Sequence, residues 1–172
     1  MTGAAPTVHR VLAATADDCT LVVVEGAATF KLEQAVKAAR LAGSPLIVVD
    51  MAGCASMDST FMGALAALGF AFQKTDARLA LINLSPHADA LLKGLGVDRV
   101  VRTYAAGALP AGLGDLAPLV HNLRPVETGP VAERDLAALM YDAHETLTRV
   151  DPQNLQRFKD VLAFLREDLK RF

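Results

Sequence analysis

The sequence predicts an α/β fold, in which helices pack on a mixed, mostly parallel sheet of four to five strands and a C-terminal α-helical hairpin follows. Short apolar runs alternate with helical patterns up to about residue 104. Four of the eight prolines fall within residues 105–130, which is typical of a linker. Residues 131–172 contain no glycine, which favours helices. We therefore predict a domain over residues 1–104, a Pro/Gly-rich linker over 105–130 and a helical hairpin over 131–172.

Five apolar segments are predicted to form the strands. They are short and rich in β-branched residues, as strands are. The third is an unbroken apolar run that ends at Asp50, which is typical of a strand covered on both faces. In chain order the predicted strands are residues 8–13, 21–24, 46–50, 79–84 and 99–101.

Three helices are predicted between these strands. Apolar residues recur at helical spacing from Leu32 to Ala39, and Ser85-Pro86 supplies an N-cap and a first-turn proline for the third helix. The second helix, over residues 59–74, carries no charge between Phe61 and Phe72. Since monomers rarely leave a large apolar patch bare, we expect a partner or the C-terminal hairpin to cover its outer face.

The C-terminal region is predicted to form two amphipathic helices. An apolar stripe runs through the first, and Asp151-Pro152 marks the start of the second. The second carries a heptad-like seam. Each apolar stripe has to be buried on the other helix, on the α/β domain or on a second chain. The hairpin therefore either regulates access to the second helix or forms a homodimer through the C-terminal helices, and an inert stabilising appendage is the third possibility.

Composition excludes several classes of protein. A hydrophobic content of 52% excludes intrinsic disorder, and a net charge of −2 provides no electrostatic basis for binding nucleic acid. The most hydrophobic stretch, residues 61–72, is shorter than the about 20 residues that a membrane-spanning helix needs. Residues 1–10 show no signal-peptide pattern, and Cys19 and Cys54 are predicted to be buried thiols. We therefore expect a cytoplasmic protein without membrane insertion.

The candidate site is the start of the second helix, where Asp58-Ser59-Thr60 follows the loop after a buried strand. The first turn of a helix has unpaired N–H groups and the positive end of the dipole, so it tolerates a phosphate. A phosphate would add roughly −1.5 to −2 charges beside Asp58 and repel a protein bound there. The alternative is that these residues only cap the helix.

The sequence gives weak support for an enzyme. A small α/β enzyme would use Asp50, Asp58 or Cys54, but residues 54–62 lack the arginine that a cysteine phosphatase needs. The histidines are scattered without metal-ligand spacing, and we interpret two of them, His87 and His144, as solvated side chains. We expect neither a catalytic residue nor a metal or cofactor.

Residues 8–104 resemble a STAS domain, the module of bacterial anti-sigma factor antagonists and of sulfate-transporter tails. The order and separation of several short motifs carry the resemblance. They are residues 46–50, 57–60, 63–65, 78–86 and 92–100. Two departures are Phe61, where antagonists usually have Gly, and residues 105–172, which have no standard counterpart in the family.

The resemblance implies that Ser59 is the phosphoacceptor, with Thr60 as the second choice. The implied partner is an anti-sigma factor that is itself a serine kinase and that binds the unphosphorylated form, and a phosphatase resets the switch. The implied partner-binding residues are Asp58, Ser59, Thr60, Phe61 and Met62. The alternative within the same family is a non-catalytic subunit of a larger assembly, such as a stressosome-like or lipid-transport complex.

Overall fold

The computed structural model describes residues 9–27, 29–113 and 115–172. The predictions that concern residues 1–8, including the start of the first strand, lie outside the described residues. Within the described ranges, strands and helices combine in a mixed α/β architecture with a mostly parallel sheet, which confirms the predicted fold class.

Six strands of the described chain form a single sheet in the order β5-β4-β3-β2-β1-β6. Strands β2, β3, β4 and β5 run parallel to one another, whereas β1 is antiparallel to both β2 and β6. The strands are β1 (Arg10–Thr15), β2 (Thr20–Glu25), β3 (Leu46–Gly53), β4 (Arg78–Leu84), β5 (Arg102–Ala105) and β6 (Arg124–Pro125).

The three helices between the strands and the C-terminal hairpin are in the predicted order, and one short helix, Ala117–Val120, is an addition within the segment predicted as a linker. The described helices are α1 (Thr29–Leu41), α2 (Ser59–Gln73), α3 (Pro86–Gly94), α4 (Ala117–Val120), α5 (Glu133–Val150) and α6 (Asn154–Leu169), with short 3-10 turns at Val97–Arg99 and Ala111–Leu113. None of the helices in these ranges is long and apolar enough to cross a membrane.

The strand predicted at residues 99–101 is wrong. Gly96 has a φ of 79°, and this left-handed turn, which glycine adopts without strain, leads the chain into the 3-10 turn Val97–Arg99. The turn places the apolar side chains of Val97 and, after the turn, Val101 in buried positions. Strand β5 therefore begins only at Arg102.

The segment between residues 105 and 130 contributes the sixth strand, which the sequence does not predict. Strand β6 pairs with β1 through Leu12 with Pro125 and Ala13 with Arg124. Proline lacks an N–H donor and is tolerated at a sheet edge. Two residues are too few for a hydrophobic pattern to reveal a strand.

The two faces of the sheet are covered differently. Alternate residues of β3 show this, because Ile47 and Val49 join the core shared with α1, α2 and α3, whereas Val48 joins a smaller core on the other face. That smaller core is closed by Leu113 and Leu119 from the segment after β5. The helices of the α/β domain and the Ser59 region thus lie on one face.

Candidate functional site

The start of α2 is built as the sequence predicts. Asp58 has extended backbone angles and its Oδ1 accepts a hydrogen bond from the Phe61 N–H at 2.8 Å, so it is the N-cap. Such a cap stabilises a helix by about 1 kcal/mol. The Asp58 carbonyl accepts the Met62 N–H at 3.1 Å. Ser59 is therefore the first residue of a well-capped helix.

The hydroxyl of Ser59 is bound by a residue of the C-terminal hairpin. Ser59 Oγ lies 2.8 Å from Nε2 of His144 in α5, and Nδ1 of the same ring lies 2.6 Å from the carbonyl oxygen of Met140. A carbonyl oxygen only accepts, so Nδ1 carries the proton and donates it. In the neutral ring Nε2 is then the acceptor, and Ser59 donates its hydroxyl proton to it.

His144 is buried, with 3% of its surface exposed, so the prediction that it is a solvated side chain is wrong. The ring of Phe158 in α6 packs edge-on against it, with centroids 5.1 Å apart. The reason is its position on α5, between Met140 and Leu147 on the apolar stripe. That spacing is the signal in the sequence that would have placed His144 on the buried face.

One turn after Ser59, helix α5 lies directly against α2. A Cβ atom built on Gly63 would lie 2.3 Å from the carbonyl oxygen of Ala143, a distance that only a glycine permits. Leu147, one turn after Ala143, is fully buried and belongs to the main core. Of the two covers expected for the outer face of α2, the structure therefore has the hairpin.

The predicted partner-binding residues separate into two groups. Asp58 is exposed, and Ser59 and Thr60 are half-buried. Phe61 and Met62 are only 1% and 6% exposed and belong to the core. Their prediction as contact residues disagrees with this burial, because the capped helix turns both side chains inward. Phe61, which replaces the usual glycine, therefore does not project into a docking surface here.

Asp50 makes structural contacts at the carboxyl end of β3. Its Oδ1 accepts hydrogen bonds from the Ala52 N–H at 2.9 Å and from Asn83 Nδ2 at 3.1 Å. Asn83 has a left-handed backbone with a φ of 59°, which asparagine tolerates better than most residues. The carboxylate therefore joins the ends of β3 and β4.

The cysteines are not activated as nucleophiles. Burial raises the pKa of the Cys54 thiol, and its Sγ donates to the Ser56 carbonyl at 3.4 Å. Burial also raises the pKa of Cys19, which lies in the core. Both therefore hold less of the reactive thiolate than a free cysteine at neutral pH. Among the residues that the structure describes, no group of three acidic, histidine or cysteine side chains is placed to hold a metal ion.

Comparison with solved structures shows which fold this is. A serine-to-glutamate variant of RsbS from Moorella thermoacetica aligns with a TM-score of 0.50 at 21% identity, over 65% of this chain and 98% of that chain. A candidate anti-sigma factor antagonist from Thermotoga maritima aligns with a TM-score of 0.49 at 16% identity, over 54% of this chain and 83% of that one. The likeness to RsbS shows a common fold.

Comparison by sequence identifies the family. Among curated proteins, none is similar enough to count as a relative. The family model described as "Mlab, STAS domain" matches residues 10–103, which run from the start of β1 into β5 and include the whole of α2. Because this match covers more than half of the chain, the chain belongs to the STAS domain family.

Proposed function

We propose that this protein is a phosphorylation-switched binding module of the anti-sigma factor antagonist type, acting in the cytoplasm. Its unphosphorylated Ser59 face binds an anti-sigma factor that is also a serine kinase, phosphorylation of Ser59 releases that partner, and a phosphatase restores the first state. The observation that carries the proposal is the position of Ser59. It is the first residue of α2, directly after the capping Asp58, in a STAS fold.

The local chemistry supports a phosphate at this position. The N–H groups of the first helical turn and the positive end of the helix dipole stabilise an anion. Asp58 is exposed beside it, so a phosphate would create a cluster of negative charge that repels a partner. The core residues below, Phe61 and Met62, would stay in place. The switch therefore changes the surface without unfolding the domain.

We propose no catalytic role for this chain. Asp50 accepts a hydrogen bond from Asn83 that joins the ends of β3 and β4, Asp58 caps a helix, and the pKa of Cys54 is raised. Ser59 and His144 have the spacing of a nucleophile and a base. Because the His144 ring is buried against Phe158, it has no space for a substrate.

The experiment is a phosphotransfer assay with three forms of the full chain: wild type, Ser59→Ala and Thr60→Ala. Each is incubated with labelled ATP and an extract of the cells that make the protein. We expect label on the wild type and on Thr60→Ala, and its loss from Ser59→Ala. Equal labelling of Ser59→Ala and wild type would show that the acceptor is another residue.

The second candidate is a non-catalytic STAS subunit held permanently in a larger assembly, stressosome-like or lipid-transporting. The observation that favours it is one side of α6, where Phe164 and, one turn earlier, Val161 are 68% and 38% exposed, as residues of a fixed interface would be in an isolated subunit. This candidate predicts that Ser59→Ala and Ser59→Asp co-purify with the same proteins as the wild type. The antagonist proposal predicts that Ser59→Asp loses its partner.

A further inference from the structure

We propose that the C-terminal hairpin is an internal competitor for the Ser59 face, held there by the Ser59–His144 hydrogen bond and released when Ser59 is phosphorylated. The inference rests on the proposed function, since it concerns the same face of α2. It adds a closed state in which neither kinase nor partner reaches that face. The family match ends at residue 103, so the competitor lies outside the matched region.

The hairpin occupies the surface that a partner would need. Helix α5 covers the first turns of α2. His144 binds Ser59, and one turn further along α2 the backbone of Ala143 touches Gly63. Leu147 extends the contact into the main core. A protein that docks beside Ser59 and along the outer face of α2 therefore has to displace α5.

The hairpin is also fastened at its turn. Asn154 is 1% exposed, and its Nδ2 donates to the carbonyl oxygens of Leu95 at 3.0 Å and Leu147 at 2.8 Å. Arg157 donates to the Gly94 carbonyl at 3.2 Å. The turn is thus tied to the end of α3, at a distance from Ser59. Loss of the Ser59 contact would free α5 from the start of α2 before the turn is released.

A phosphate on Ser59 opposes this docking. Ionised phosphate oxygens and the Nε2 atom of the present His144 tautomer are both acceptors, so the hydrogen bond between the two helices survives only if the ring takes up a second proton. Charging a ring that is 3% exposed carries a desolvation cost, which weakens the docked state. The two helices also lie close together near this position, because α5 touches the backbone of α2 at Gly63, one turn away, and Ser59 is half-buried between them. The same modification that repels a partner therefore repels the hairpin.

Competition of this kind sets the apparent affinity for the partner. A partner that binds only the open form has its affinity reduced by the fraction of molecules that are open. Variants that loosen the hairpin without altering α2 should therefore strengthen partner binding and speed phosphorylation of Ser59. Tightening the hairpin should do the reverse.

The test compares hydrogen–deuterium exchange in full-length Ser59→Glu and Ser59→Gln, which differ in charge and hardly in shape. We expect amides of α5 to exchange about tenfold faster in Ser59→Glu than in Ser59→Gln, a change equal to about 1.4 kcal/mol. Amides of β3 and β4 should be unchanged. Exchange in α5 of Ser59→Glu that stays as slow as in the wild type would overturn the proposal, and so would a rise that includes β3 and β4, because that is loss of the whole fold.

A second measurement tests whether the hairpin docks within its own chain. Exchange in α5 of the wild type should be the same at low and high protein concentration. Protection that grows with concentration would mean that the hairpin docks on a second copy, and it would overturn internal competition. Neither measurement uses a kinase, so label on a residue other than Ser59 would defeat the proposed function and leave these results standing.

Discussion

Gly63 in α2 lies against the backbone of Ala143 in α5, where a Cβ atom would be 2.3 Å from the Ala143 carbonyl oxygen and 2.8 Å from its Cα. Two helices that are far apart in sequence thus touch without a side chain between them. This contact and the Ser59–His144 hydrogen bond one turn earlier join the STAS domain to its C-terminal hairpin.

Gly63→Ala should undock the hairpin. Alanine is favoured over glycine inside a helix by about 1 kcal/mol, so an isolated α2 would gain stability. Here the added methyl group meets backbone, and overpacking of this kind costs about 1–3 kcal/mol. The matched control is Gly94→Ala, where a Cβ would meet nothing within 4 Å. Thermal unfolding should show a lower midpoint for Gly63→Ala and an unchanged or higher one for Gly94→Ala; a higher midpoint for both would contradict the contact.

His144→Ala should destabilise the protein by about 2 kcal/mol, because it removes a buried hydrogen bond and leaves a cavity beside Phe158. His121→Ala is the control, since His121 is exposed. Urea unfolding measures both. If the two substitutions have the same small effect, His144 is not buried on α2 in solution.

Asn154→Ala should loosen the turn of the hairpin. The amide donates to two backbone carbonyls from a buried position. The Leu147 carbonyl keeps the Asp151 N–H as a donor, but the Leu95 carbonyl loses its partner, and leaving a buried acceptor unpaired costs about 1–3 kcal/mol. Asn122→Ala is the control, because Asn122 donates to the Pro118 carbonyl on the surface. Proteolysis within residues 151–153, the turn between α5 and α6, should be faster for Asn154→Ala. Cleavage at equal rates in the two variants would show that the turn is not fastened by Asn154.

The thiol of Cys54 should react slowly with iodoacetamide at neutral pH. Burial raises its pKa, so the folded protein holds less thiolate than a free cysteine at neutral pH. The ratio of the alkylation rates of the unfolded and folded protein should approach one only when the pH exceeds the raised pKa. A Cys19→Ala background leaves Cys54 as the remaining thiol. Alkylation followed by mass spectrometry should be slower in the native protein than in urea. Native alkylation at the rate seen in urea would contradict the raised pKa.

Local signals in the sequence predicted the α/β fold and the start of α2, because capping by Asp58 and the burial of β3 depend on neighbouring residues. The residue that binds Ser59 was missed. His144 is 85 positions away, and its place on the apolar stripe of α5 was outweighed by its polar side chain. The burial of Phe61 depends on how α2 rotates against the core, and β6 exists only because a two-residue segment meets the edge of β1. Contacts between distant segments are set by packing, which local patterns do not encode.

The most direct test of the central claim is to map phosphate on the protein isolated from the cells that make it. Peptide mass spectrometry of wild type and Thr60→Ala should find a single phosphorylated position, Ser59, in a fraction of the molecules. A phosphate on any other residue, or a chain that stays unmodified while its co-purifying kinase is active, would contradict the switch.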